Sequence, residues 1–177
     1  MNYSEDHLKR ILSDVEYLID EAEALTSVID AVPVGEKAAG VESMLEMMAL
    51  IDHAQLQYYR PLIESLYSVP DFESAPKDFR SSYKDELNRQ QVSPDTTTDK
   101  ERVRSLLKSI AGNRRELLQF VKKLPLDDLR QTGKINGENK SIADLLEDMV
   151  VFERNQLKAV AERVLALDNN MKPGREQ

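Results

Sequence analysis

Apolar residues return every three or four positions along four stretches of this chain, the spacing of one face of an α-helix. The last, Ser141–Leu167, is the most regular. Its stripe is Ile142, Leu145, Leu146, Met149, Phe152, Leu157, Val160, Val164 and Leu167, uninterrupted by Pro or Gly. Two polar residues, Glu153 and Gln156, sit in or beside that stripe midway along.

The first stretch, about residues 4–31, steps through Leu8, Ile11, Leu12, Val15, Leu18, Ile19, Ala22, Leu25, Val28 and Ile29. Ser4 is its expected N-cap, with Glu5 and Asp6 at the positive end of the helix dipole, and Pro33 and Gly35 close it. The second begins near Gly40 or Val41 and runs through Met44, Leu45, Met48, Ile51, Gln55, Tyr58, Leu62 and Leu66, with Met47, Leu50, Ala54 and Tyr59 widening the face. Pro61 lies inside it and predicts a kink or a division, because it removes a backbone donor. The third opens on the capping box Thr98-Asp-Lys-Glu101 and carries Val103, Leu106, Leu107, Ile110, Leu117, Leu118, Val121 and Leu124. Arg114 falls on that stripe, where a guanidinium must escape along its stem or meet a buried acid. Gly112, in mid-helix, is read as marking the close approach of another helix.

The connections differ in character. Residues 68–98 are rich in Pro, Ser, Asp and Thr; a short helix starting at Ser74–Pro76 is expected there, with Phe79, Tyr83 and Leu87 on one face, followed by a loop at Ser93-Pro94-Asp95. It is expected to cover one end of the domain. Pro125 stops the third helix, a single turn follows, and Gly133 to Gly137 predicts a tight turn because Asn136-Gly137 favours positive φ. Ser141 and Asp144 form a second capping signature, and the polar tail 168–177 is expected to fray. Four amphipathic helices predict an all-α four-helix bundle, one domain over residues 1–177, with a short extra helix between helices 2 and 3. The long connections leave room for crossovers.

Composition narrows the chemistry. Without Cys there is no disulfide, thiolate metal site or Cys nucleophile. No apolar run approaches the roughly 18–20 residues of a membrane span, and the N-terminus lacks a signal-peptide core, so a cytoplasmic protein is expected. The 24 Lys and Arg are interleaved with 32 acids, which argues against a nucleic-acid partner. Only His7 and His53 exist, and neither belongs to a Glu-x-x-His or His-x-x-x-His pair, which excludes a ferritin-like centre. His7, in a first turn, is expected to be solvated. There is no nucleophile elbow, P-loop or dinucleotide fingerprint, and no catalytic residue can be named. Glu153 keeps two readings open: a stripe-edge carboxylate reaching water, or a buried one needing a partner from Arg114, Tyr58, Tyr59 or His53.

Leu117-Leu118, Leu124-Pro-Leu-Asp-Asp-Leu129, Gly133, Gly137 and Ser141-Ile-Ala-Asp-Leu-Leu146 together resemble the C-terminal half of the DinB/YfiT-like bundle superfamily. The middle of the second helix, MMALIDHAQLQYYRPLIESL, is also similar to that family's second helix. The resemblance implies a divalent metal held by three His, one on the second helix and a His-x-x-x-His pair on the last. It also implies thiol transfer or hydrolysis of small molecules, and a link to stress. The implied pair falls on Phe152 and Gln156, and the first ligand on Met47 or His53; of these only His53 is His. The expectation is therefore a bundle without the three-His metal, binding a small molecule or forming a homodimer near His53, Glu153, Gln156, Phe152 and Met47. The alternatives are a variant Ni, Zn or Fe site using His53 and Glu153, and a protein-interaction module.

Overall fold

The computed structural model describes residues 3–27, 29, 34–35, 42–90 and 98–171. Four helical limbs dominate it. The first, α1 (Glu5–Thr26), is capped by Ser4, whose hydroxyl accepts from the His7 amide, and buries Leu8, Ile11, Val15, Leu18, Ile19, Ala22 and Leu25. Of the expected continuation Ile29 is described and buried; Val28, residues 30–33, the start at Gly40–Val41 and the loop at Ser93–Asp95 lie outside the described residues.

The second limb is α2 (Met44–Ala54), a π-helical stretch (Gln55–Tyr59) and α3 (Arg60–Ser68). Ser43 and Glu46 form a capping box at its start. The Arg60 amide reaches back five residues to the Gln55 carbonyl. Pro61, second residue of α3, has no amide hydrogen to continue an α-helical ladder through this turn. The proline thus divides the helix as expected, and the accommodation is a widened turn just before it.

The third and fourth limbs are α5 (Asp99–Lys122) and α6 (Ile142–Met171). The Thr98–Glu101 box caps α5 in both directions. Ser141 and Asp144 do the same for α6, with Ser141 N to Asp144 Oδ2 at 2.7 Å and Asp144 N to Ser141 Oγ at 3.0 Å. Helix α6 continues to Met171, four residues past the expected stretch, and the rest of the tail expected to fray lies outside the described residues. Among the described residues no helix is long and apolar enough to cross a membrane.

Helix α1 packs against both α5 and α6, and so does α2. The consecutive limbs α1 and α2 are therefore diagonal, as are α5 and α6, and the chain does not run simply up and down around the bundle. Gly112 does not mark a close approach: a methyl group placed there would meet nothing within 4 Å.

The 125–141 connection holds more structure than a turn. After a 3₁₀ turn (Leu126–Arg130), β2 (Thr132–Ile135) and β3 (Glu138–Ser141) form an antiparallel hairpin. Asn136 and Gly137 make its turn with φ of 52° and 82°, as the Asn-Gly pair predicts. A two-residue strand, β1 (Glu73–Ser74), pairs parallel to β2. Gly133 is required there, since a Cβ would lie 2.6 Å from the Phe72 carbonyl oxygen. The expected short helix is α4 (Phe79–Gln90), starting later than Ser74 because these residues are in the strand. Its Phe79 packs against the core and Tyr83 is buried in it.

A polar clamp closes the hairpin end of the bundle. The Tyr3 hydroxyl donates to Asp144 Oδ1 at 2.7 Å and to Glu147 Oε2 at 3.0 Å. His7 is not simply solvated: its Nε2 lies 3.2 Å from Glu147 Oε1 and its ring stands edge-on to Tyr3. Arg130 donates twice to the Tyr3 carbonyl.

Candidate functional site

Three polar side chains interrupt apolar stripes on three different helices, and the three interruptions meet inside the bundle. Arg114 comes from α5, Glu153 from α6 and Gln55 from the first position of the π-helical stretch; they are 1%, 0% and 3% exposed. Glu153 Oε2 is ion-paired with Arg114 Nη2, and Glu153 Oε1 accepts from Gln55 Nε2 at 3.2 Å. Because α5 and α6 are diagonal, the pair spans the bundle interior rather than the seam between neighbours. Glu153 does not reach water; it is the buried acid that Arg114 requires. Burial lowers the Arg114 pKa to about 9, opposed by the Glu21 carboxylate of α1, so the guanidinium stays charged at neutral pH.

The cluster is incompletely satisfied. Gln55 Oε1 and Arg114 Nε and Nη1 are buried without a hydrogen-bond partner among the described residues. Most buried polar atoms in folded proteins are paired, and an orphan costs about 1–3 kcal/mol. Arg114 alone keeps two of its donor nitrogens unmatched.

Phe152 precedes Glu153 and points into an aromatic group. Its ring is 4.8 Å from Phe79 of α4 in an edge-to-face arrangement and 6.3 Å from Tyr59. Tyr58 joins them, 5.2 Å from Tyr59 and 5.3 Å from Phe79. Burial is the main cause that raises the Tyr58 and Tyr59 hydroxyls above the ordinary phenol value; Lys140 opposes it at Tyr58 and Arg80 at Tyr59, Asp148 and Asp78 add to it, and both stay protonated. Gln156, one turn beyond Phe152, is half-buried, and Met47 belongs to the core.

His53 is elsewhere. It precedes Gln55 by two residues, about 200° around the helix, and faces α4. Its Nε2 lies 2.8 Å from Ser82 Oγ and its ring 5.7 Å from Tyr83. Neighbouring Asp52 accepts from Asn113 of α5. Asp148 pairs with Lys140 at 2.6 Å on the surface. Of the residues singled out from sequence, the fold thus places Glu153 and Phe152 side by side and turns His53 away from both. Gln55 was visible only as a polar member of its stripe, whereas Arg114 stood out as a stripe cation in need of a buried acid, with Glu153 one acid it could meet. The signal that finds them is the coincidence of one stripe interruption on each helix.

The overall arrangement matches a solved structure. YfiT from Bacillus subtilis, described as a probable metal-dependent hydrolase with an unusual four-helix bundle topology, superposes with a TM-score of 0.71 over 98% of this chain and 92% of that one, at 9% identity. The chain has the YfiT fold. At that identity the likeness is one of fold. No family model matches the sequence, and no curated protein does.

A three-His metal does not fit this YfiT-like bundle at the positions the resemblance implies. Phe152 has no lone pair to offer and is engaged in ring contacts. Gln156 brings a neutral amide. His53 is directed at Ser82, and Glu153 is held by Arg114 and Gln55. Among the described residues no group of three or more His, Asp or Glu is arranged to hold a metal ion.

Proposed function

We propose that this YfiT-like bundle is a binding protein for a small polar molecule, recognised at the interior centre where Gln55, Arg114 and Glu153 meet. One observation carries the reading: a fully buried ion pair that leaves Arg114 Nε and Nη1 and Gln55 Oε1 unmatched. A purely structural pair gains from complete hydrogen bonding, and leaving such groups open in the interior costs stability. A ligand bearing an acceptor for Arg114 and a donor for Gln55 satisfies both. The π-helical stretch supports the same place, since such widened turns recur at functional sites and this one begins at Gln55.

The likeness to YfiT favours a second reading, a hydrolase with a variant metal site drawing on His53 and Glu153. Metal analysis of untagged protein, prepared without chelator and then titrated with Zn, Ni and Fe, separates the two. The binding reading expects sub-stoichiometric metal, unaffected by His53→Ala. It also expects thermal stabilisation by members of a small-molecule set that is lost in Arg114→Met/Glu153→Leu. Stoichiometric metal that disappears in His53→Ala would overturn it in favour of the hydrolase.

A further inference from the structure

Outward from the polar centre the side chains become aromatic. Gln55 and Tyr59 lie one turn apart on the second limb, and Glu153 and Phe152 are consecutive on α6. From Tyr59 and Phe152 the rings of Phe79 and Tyr58 continue towards solvent, both half-buried. Over this group lies a cation supplied by the chain itself. The guanidinium carbon of Arg80, an exposed residue of α4, is 5.6 Å from the Phe152 ring centroid and 5.9 Å from that of Phe79. Those distances are within the roughly 6 Å at which the negative face of an aromatic ring attracts a positive charge.

The surrounding charges are mixed: Asp78 and Asp148 are opposed at the ring hydroxyls by Lys140 and Arg80. Asp78, at the start of α4, and Asp148, one turn before Phe152, act electrostatically on Tyr58 and Tyr59. Asp78 accepts from the Ser81 amide at 3.2 Å, and Asp148 is paired with Lys140 at 2.6 Å. The chain as a whole carries a net charge of −8. Four rings in mutual contact, with a guanidinium already resting on two of their faces, make a seat for an organic cation.

We propose that the Tyr58–Tyr59–Phe79–Phe152 group is the mouth of the site and binds the cationic head of a small guanidinium or alkylammonium compound, with Arg80 as the internal occupant that the ligand displaces. This rests on the reading that this end of the bundle receives a small molecule. It also gives a chemical reason for Phe at position 152: a ring face attracts an organic cation, whereas it cannot ligate a metal.

The test is titration with tetramethylammonium and methylguanidinium chlorides against sodium chloride at matched ionic strength, followed by NMR. The cation methyl signals are monitored for ring-current shifts, and metal content is measured on the same samples. Wild type should bind weakly and Arg80→Gln about 2–5-fold more tightly, the factor that one exposed cation–ring contact represents. Phe79→Leu in the Arg80→Gln background should reverse that gain; Phe79 is preferred over Phe152 because it is only half-buried and the fold tolerates its loss better. Arg80→Gln binding no tighter than wild type, or shifts reproduced by sodium chloride, would overturn the proposal. Metal-free protein with no cation binding sinks this inference alone, whereas stoichiometric metal lost in His53→Ala sinks the functional reading beneath it.

Discussion

Two polar clusters hang on α6, nine residues apart, and they are built in opposite ways. At the hairpin end, Asp144 and Glu147 meet Tyr3 and His7, and Arg130 secures the Tyr3 backbone. That cluster borders solvent, and each of its side chains has a hydrogen-bond partner. In the middle of the helix, Glu153 meets Arg114 and Gln55 with no solvent access and with donors left over. The first is what a fold needs to fix a chain terminus against a helix start. The second is more costly than packing requires, since apolar residues of similar volume fill such a place at least as stably. The difference separates architecture from a candidate site without reference to any relative.

The contrast can be broken most forcefully at the centre. Glu153→Leu strands the Arg114 guanidinium in the interior and should cost about 3–5 kcal/mol, whereas Arg114→Met/Glu153→Leu should return to wild-type stability or exceed it. Urea denaturation of the three proteins measures this. A double variant as unstable as the single one would mean that the pair is structural after all.

The clamp should respond more mildly. Tyr3→Phe removes one hydroxyl serving two carboxylates at a partly solvated site, and a loss of about 0.5–1.5 kcal/mol is expected. It should also alter the acid limb of stability. Burial alone would raise Asp144, but hydrogen bonds from the Ser141 hydroxyl and amide and from Tyr3 outweigh it and hold the carboxyl below its ordinary value. A depressed folded pKa gives a contribution that is whole above the ordinary carboxylate range and is lost as the pH falls through and beneath it. With one donor gone, stability plotted against pH should fall less steeply on that limb. An unchanged slope would remove Tyr3 from the account of Asp144.

The smallest effect is expected beside the centre, on α5. Gly112 faces open space two residues before Arg114, so Gly112→Ala should stabilise by about 0.4–1 kcal/mol through the unfolded chain and the helix propensity. A neutral or lowered denaturation midpoint would show that the backbone near Arg114 needs glycine's freedom.

The helices were legible because each has a stripe long enough to show its period, and the three hydroxyl caps at Ser4, Thr98 and Ser141 occupy their expected places. The hairpin was legible only at its Asn136-Gly137 turn. Its strands are four residues each, and Glu138–Ser141 is polar throughout, so no alternation could be read; β1, with two residues, carries no pattern at all. At the site, Arg114 and Glu153 each stood out against an apolar stripe. That they meet depends on α5 and α6 lying diagonally, which follows from how the connections cross and from no local feature. His53 shows the same limit: periodicity places it on its helix but does not say that its ring meets Ser82 and Tyr83 of α4.

The widened turn at Gln55–Tyr59 has a geometric consequence. It holds about one residue more than an α-helical turn, so everything after it is set back by roughly one residue step, about 100°. Without that set-back, Ile63 would turn away from the side on which Met47, Met48 and Ile51 are buried. One limb thus keeps a single buried side across a proline. Removing one residue between 55 and 59 would regularise the ladder and leave the two halves in register with the same core, whereas closing the turn to α-helical geometry without a deletion would rotate one half against the other by about 100°.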